Sequence, residues 1–294
     1  IPHQVCDFSR HFAEEVICHF IETYGQGATP NPCIECNRRV KFNLSLLRSH
    51  AGEFDCLATG HYAQTEQDKI SGRFLLKKSV DTKKDQSYVL YSLSQEQLKC
   101  ARFPLGGLSK ADVRKIAEDR KMTIAAKGES QDICFVPDGD YGAFIEASTG
   151  KIWPPGDIID LEGNTLGRHR GIIRYTIGQR RGLGIAANTP VYVTAKSAGD
   201  NTVTLGPDSA LYSKSLFASD INLVACARID QPMRVTVKTR YLQTEQPAVV
   251  RQSGENTLHI EFDSPQRAIT PGQAAVMYDG DIVIGGGTIM ADES

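Results

Sequence analysis

Thr29-Pro30-Asn31-Pro32-Cys33-Ile34-Glu35-Cys36-Asn37 carries two of the chain's eight cysteines in a Cys-x-x-Cys arrangement behind a Pro-x-Pro lead. Pro30 and Pro32 fix φ and stiffen the approach to the thiols. Beyond them Val40, Leu44 and Leu47 recur at helical spacing, so a helix is predicted to begin at or just after Cys36. A thiol at that point meets unpaired N–H groups and the positive end of the helix dipole. Arg38, Arg39 and Lys41 add positive charge nearby. Both effects predict a lowered thiol pKa, which makes Cys36 a candidate nucleophile. Cys-x-x-Cys is also half of a zinc or iron–sulfur site, or a redox pair. A closed zinc site takes four ligands, and the other six cysteines form no second Cys-x-x-Cys. Reactive thiols, a metal or cluster site and inert cysteines all stay open on spacing alone.

The 294 residues suffice for two or three domains. With 40% hydrophobic and 23% charged residues the composition is that of an ordinary soluble protein. No apolar run approaches the roughly 18 residues that a membrane span needs. Eight cysteines without a visible signal peptide fit a reducing cytosol, so a cytoplasmic location is expected. The net charge of −2 announces no nucleic acid, which leaves that role to a local basic patch. The sequence opens at Ile1 rather than Met, and a fragment or processed form is expected.

Residues 9–24 read as a packing helix capped by Ser9, with Phe12, Val16, Phe20 and Tyr24 on one stripe. Residues 54–58 read as a short buried strand ending in Thr59-Gly60-His61, and 73–78 as another strand. In open α/β sheets ligands gather at the carboxyl ends of strands, which singles out His61. Lys84-Asp85-Gln86 sits in a polar loop that reads either as a phosphate or base contact or as a solvated turn. Ser94 and Ser109 each open a helix with Gln97 or Asp112 three residues on, a capping-box pattern. In the second of these helices Val113, Ile116 and Ala117 are expected to face inward. Cys134, inside an apolar run, reads on its own as a small buried hydrophobe.

From about residue 150 glycine, proline and β-branched residues dominate. Between Glu162 and Asp200 there is no acidic residue, while Arg168, His169, Arg170, Arg174, Arg180, Arg181 and Lys196 all occur. The glycines of 178–184 let backbone approach a phosphate closely. This stretch is a candidate nucleic-acid face. In 233–241 and again from Leu258 to Phe262 apolar residues alternate with polar ones. Five or six short strands with Gly/Pro turns predict a small C-terminal β-barrel.

Seven motifs then stand in order. They are Thr-Pro-Asn-Pro-x-x-x-Cys-Asn at 29–37, Ala-Thr-Gly-His-Tyr-Ala at 58–63, Lys-Asp-Gln-Ser-Tyr at 84–88 and Phe-Pro-Leu-Gly at 103–106, followed by Ser-Gln-Asp-Ile-Cys-Phe at 130–135, Tyr-Thr-Ile-Gly-Gln-Arg-Arg-Gly-Leu at 175–183 and Thr-Pro-Gly-Gln at 270–273. With them the chain closely resembles, over essentially its whole length, the bacterial tRNA-specific 2-thiouridylases, which are tRNA-uridine 2-sulfurtransferases of the ATP pyrophosphatase type. The resemblance implies an α/β fold: an incomplete Rossmann-like ATP pyrophosphatase domain over 1–142, a small, mostly-β, tRNA-binding central domain over 143–207, and a C-terminal β-barrel over 208–294. It also implies Mg-dependent use of ATP to adenylate O2 of the wobble uridine in a tRNA anticodon stem-loop. Sulfur then comes from a cysteine persulfide loaded by an upstream carrier.

Carried over motif by motif, Cys36 is the nucleophile and Cys134 the persulfide cysteine, which reverses the buried reading of Cys134. The transfer ends in released sulfide or in a disulfide. Asn31, Pro32 and Cys33 fall to the target base, and Gly60 to ATP. His61, Lys84, Asp85, Gln86, Arg240, Tyr241 and Gln273 fall to tRNA contact, beside Arg180 and Arg181 from the basic stretch. Some members carry Asp at the Cys33 position. A Cys there opens the alternative that Cys33, Cys36 and Cys134 ligate a [4Fe-4S] cluster. The family's Ser-Gly-Gly-x-Asp-Ser phosphate loop does not occur in these residues, so an N-terminally truncated form, weak ATP binding and a tRNA-binding remnant are further expectations. A monomer is expected.

Overall fold

The computed structural model describes residues 3–122, 133–136, 138–187 and 189–291. The predicted first helix forms as one continuous run: α1 (Ser9–Phe12), a π-helical segment (Ala13–Ile17) and α2 (Cys18–Gly25). Ser9 is its first residue rather than its cap; Asp7 Oδ1 instead accepts from the Ser9 N–H at 2.9 Å. Phe20 and Tyr24 are buried on the inner stripe, as the spacing requires. α3 (Pro32–Glu35) runs straight into a second π-helical segment (Cys36–Lys41), and α4 (Leu44–Ala51) follows after a break at Phe42-Asn43. Asn43 caps α4 by accepting from the Leu46 N–H at 3.0 Å.

β1 (Leu57–Ala58) is shorter and more exposed than expected. Only two residues find a partner, pairing in parallel with β4 (Ala101–Arg102). β2 (Ala63–Gln67) and β3 (Phe74–Lys78) form an antiparallel hairpin. α5 (Gln95–Cys100) and α6 (Lys110–Asp119) both begin with complete capping boxes, at Ser94/Gln97 and Ser109/Asp112. In α6 only Ala117 is buried; Ile116, expected inward, is exposed. α7 (Tyr141–Thr149) leads to a four-stranded sheet in the order β6-β5-β8-β7, made of β5 (Asp157–Ile159), β6 (Thr165–Arg168), β7 (Tyr192–Ser197) and β8 (Thr202–Gly206).

The C-terminal strands are β9 (Tyr212–Leu223), β10 (Met233–Lys238), β11 (Gln246–Gly254), β12 (Thr257–Arg267), β13 (Ala274–Asp279) and β14 (Ile282–Ile289). Their order β13-β10-β11-β12-β9-β14 closes through β13–β14 pairing, giving the expected barrel with six strands. Val235, Val237, Leu258, Ile260 and Phe262 fill its interior, as their alternation predicts. The β2–β3 hairpin attaches to this barrel: Ile282 pairs with Lys77, and Lys78 Nζ reaches Glu245 at 2.6 Å and the Gly280 carbonyl at 2.7 Å.

Consequently the first core is shared. Ile34, Phe42, Tyr88 and Leu98 pack in one cluster with the barrel residues Val224, Val276, Tyr278 and Val283. A second cluster joins Phe20 and Tyr24 of α2 to Ile145 of α7 and to Ile158, Val193 and Val203 of the four-stranded sheet. Each fully buried side chain of this size stabilises the fold by about 1.5–3 kcal/mol relative to exposure. The loop before Cys33 sits where these units meet.

Candidate active site and RNA-binding face

The loop carrying the Cys-x-x-Cys is held at both ends. Asn31 caps α3, its Oδ1 accepting from the Cys33 N–H at 3.2 Å, and Pro32 takes the first helical position, where a missing N–H costs nothing. From the barrel, Pro271 O accepts from the Thr29 N–H at 2.8 Å. Gln273 Nε2 donates to the carbonyls of Thr29 (2.8 Å) and Pro30 (3.2 Å). Gly272 makes this close approach possible: with φ +85°, a Cβ there would stand 3.0 Å from Thr29 backbone atoms. Two motifs more than 200 residues apart, Thr-Pro-Asn-Pro and Thr-Pro-Gly-Gln, thus grip one another. Asn37 Nδ2 donates to the buried Val89 carbonyl at 2.9 Å and fixes the helical run one residue past Cys36.

Cys36 does not sit at a helix N-terminus, because the helix opens four residues earlier at Pro32. Cys36 begins the π segment, whose wider turn is a frequent feature of functional sites. The expected lowering of its pKa is not found. Burial pushes the Cys36 thiol up, Lys41 works against that, and the neighbouring thiols Cys33 and Cys134 push it further up. Arg38 and Arg39 are engaged elsewhere. Arg38 pairs with Asp220 of the barrel at 2.5 Å, and Arg39 with Glu35 at 2.6 Å and Glu15 at 2.9 Å. Of the three cations near the motif, Lys41 alone acts on the thiols.

Cys134 is exposed, not buried, and lies within electrostatic reach of both Cys33 and Cys36. Its neighbour Phe135 anchors the turn, packing edge-on against Phe12 at 5.7 Å and Phe20 at 5.2 Å. The fold therefore places Cys134 in the neighbourhood of the helical run that carries Cys33 and Cys36. Cys33, Cys36 and Cys134 are free cysteines. Among the described residues no group of three or more His, Cys, Asp or Glu side chains is arranged to hold a metal ion, so the structure gives the cluster alternative no ligand set.

Gly60 follows the carboxyl end of the parallel strand β1 and is exposed. A Cβ there would meet only Leu105, at 3.7 Å. The 294 residues contain no Ser-Gly-Gly-x-Asp-Ser segment to cradle phosphates, so these residues fit only part of an ATP site. His61 is half-buried between Phe42 and Phe103, and Thr59 Oγ1 is 2.8 Å from its Nδ1. Burial, then the charge of Lys41, pulls its pKa down to about 4.

Lys84, Asp85 and Gln86 form a braced loop. Asp85 is buried; its carboxylate accepts from the Ser79 N–H at 3.0 Å and the Ser87 hydroxyl at 2.7 Å. Gln86 Oε1 accepts from the Tyr62 N–H at 2.9 Å, which ties this loop to the Gly60-His61 turn. Arg240 and Tyr241 follow β10. Arg240 Nη2 donates to Ala268 O and Thr270 Oγ1, both at 2.8 Å, and reaches toward Ile177 O at 3.4 Å. Tyr241 lies against Tyr88, ring centroids 5.9 Å apart.

The basic stretch divides. Arg180 and Arg181 are exposed on the loop after Gly178, and Arg170 is exposed nearby. A cleft of ≈ 370 Å³ beside them is lined by Tyr141, Arg170, Arg174 and Gln179. Three other members turn inward. Arg174 pairs with Glu146 at 2.5 Å and Asp140 at 3.4 Å. His169 is buried, with Nε2 2.9 Å from Asn201 O. Lys196 Nζ donates to Tyr175 O at 2.7 Å, and burial lowers its pKa to about 8.

Three family models match in order: the tRNA methyl transferase HUP domain over residues 1–138, the tRNA methyl transferase PRC-barrel domain over 142–207 and the aminomethyltransferase beta-barrel domain over 213–289. A relative from Acetivibrio thermocellus, named tRNA-specific 2-thiouridylase MnmA, is 49% identical over 289 residues, covering 98% of this chain and 80% of that protein. One of the same name from Clostridioides difficile is 46% identical over the same lengths. No helix among the described residues is long and apolar enough to cross a membrane.

Proposed function

The chain belongs to the tRNA-specific 2-thiouridylase family, and from that premise we propose that it transfers sulfur from a persulfide on Cys134 to C2 of the wobble uridine of tRNA. The observation that supports the reading is that Cys134, from a separate and exposed segment, lies close enough to the Cys33–Cys36 helical run to act electrostatically on both of its thiols. ATP is the co-substrate; it turns the uridine O2 into a leaving group. No phosphate cradle lies in these residues, and the steps below are those of the thiols and the RNA.

The terminal sulfur of the Cys134 persulfide, as its anion, attacks C2 and forms the new C–S bond. The Cys36 thiolate attacks Cys134 Sγ and breaks the persulfide S–S bond, whose electron pair stays on the sulfur now bound to C2. The activated oxygen departs and a Cys36–Cys134 disulfide is left. Lys41 supports the Cys36 thiolate. Asn31, Pro32 and Cys33 face the incoming base, which leaves its stack as single-stranded loop bases can. His61, the braced 84–86 loop, Arg180, Arg181, Arg240 and Tyr241 form the RNA face. Gln273 contributes to it by holding the thiol loop. The sulfur arrives from a carrier persulfide, and the enzyme works as a monomer in the cytoplasm, where its tRNA is.

The test is thiolation of unmodified tRNA by Cys36→Ser and Cys134→Ser variants. Each is expected to abolish 2-thiouridine while tRNA affinity stays within a few-fold. A variant that keeps most of its turnover would remove that cysteine from the mechanism.

A further inference from the structure

Cys33 and Cys36 stand at i and i+3 on the helical run that opens at Pro32, so their thiols leave the same side one turn apart. Cys33 is exposed, and Cys134 interacts electrostatically with Cys33 as it does with Cys36. Lys41 acts on both helix thiols. The transfer described above uses Cys33 in no bond-making step, yet it leaves Cys134 locked in a disulfide and unable to accept the next sulfur. We propose, resting on that reading of the site, that Cys33 is the resolving thiol: it attacks Cys36 Sγ in the Cys36–Cys134 disulfide and releases Cys134 for reloading.

The step is a thiol–disulfide exchange and balances without an oxidant. The Cys33 thiol gives its proton to solvent, and its thiolate forms a bond to Cys36 Sγ. The Cys36–Cys134 bond breaks, and its electron pair leaves on Cys134 Sγ. One disulfide replaces another. The two electrons that later reduce Cys33–Cys36 come from an external dithiol, and Cys134 is reloaded without waiting for them. Geometry favours this direction. Residues one helical turn apart have Cα atoms about 5 Å apart, inside the usual disulfide range. Cys134, on an exposed turn, is the partner able to withdraw. An aspartate at position 33 could not perform the step.

The experiment uses the full-length enzyme, preloaded with persulfide and given ATP and excess tRNA without reductant. After one turnover the thiols are trapped by alkylation in acid and the peptides mapped unreduced. The wild type is expected to show Cys33–Cys36 with alkylated Cys134, and Cys33→Ser to show Cys36–Cys134. Steady-state turnover of Cys33→Ser at limiting dithiol, relative to its own first turnover, should fall about tenfold below the wild-type ratio. Wild-type enzyme trapped as Cys36–Cys134 with Cys33 alkylated overturns the proposal, as does a steady-state to first-turnover ratio in Cys33→Ser equal to that of the wild type. A second arm omits tRNA and ATP. One equivalent of diamide lets the three thiols reach equilibrium; Cys33–Cys36 should dominate, and dominance of Cys36–Cys134 makes resolution uphill and ends the proposal. Absence of 2-thiouridine would count against the thiolation reading alone, because the diamide arm still decides the role of Cys33.

Discussion

Gln273 of the barrel holds Thr29 of the thiol loop: its side-chain amide donates to the Thr29 carbonyl at 2.8 Å and to the Pro30 carbonyl at 3.2 Å. A residue read from sequence as an RNA contact is therefore also part of the frame that aims Cys33 and Cys36. Gln273→Ala removes both bonds and should cost about 1–3 kcal/mol of stability. Thiolation should fall further than tRNA affinity does. Thermal unfolding and a separate tRNA titration check this; a purely affinity-based loss would contradict it.

The thiols should react faster as pH rises. Burial holds Cys36 above the ordinary thiol range, and Lys41 opposes it. Lys41→Ala should move the alkylation midpoint of Cys36 upward and slow alkylation at pH 7; Lys41→Glu should do more. An unchanged pH profile for iodoacetamide labelling would show that Lys41 does not act on the thiol.

His61 should stay neutral across the physiological range. Its folded pKa of about 4 lies below the ordinary 6.5. Between those values the unfolded chain binds the extra proton, so stability is full above about pH 6.5 and declines as pH falls toward 4. Titration of the ring protons by NMR should give a midpoint near 4, and a midpoint above 6 would refute the burial argument.

Arg180 and Arg181 should differ from Arg174 in kind. Replacing both exposed arginines by Ala should weaken tRNA binding and flatten the slope of log K against log salt by up to about two units. Arg174→Ala breaks pairs to Glu146 and Asp140 and should lower stability by about 1–3 kcal/mol with little change in that slope. Filter binding across a salt series separates the two.

Asp85→Ala should destabilise by about 2–4 kcal/mol, since it leaves the buried Ser79 and Ser87 donors without their carboxylate. Asp85→Asn should recover part of this. Equal stability of the two variants would show that the charge, not the hydrogen bonding, matters.

What the sequence made legible was local. The capping boxes at Ser94 and Ser109, the first-helix stripe and the barrel alternation each depend on neighbours within a few residues, and each formed as read. The motif order also pointed to Cys134, whose own apolar surroundings suggested burial. Partners distant in sequence were not legible. Arg38 seemed available to Cys36 because nothing local reveals Asp220, 182 positions away, that engages it. Arg174 and Lys196 looked like surface charges until the fold turned them toward Glu146 and Tyr175. The β2–β3 hairpin reads as part of the first domain, yet Lys78 ties it to the barrel.

The most direct measurement is the yield of 2-thiouridine, by nucleoside mass spectrometry, from unmodified tRNA incubated with ATP and a persulfide donor. It compares the full-length wild type with its Cys36→Ser and Cys134→Ser variants. Sulfur transfer through the two thiols predicts product from the wild type, at the wobble position alone, and none from either variant. No product from the wild type, with tRNA still bound, would contradict the sulfur-transfer reading and leave a tRNA-binding protein.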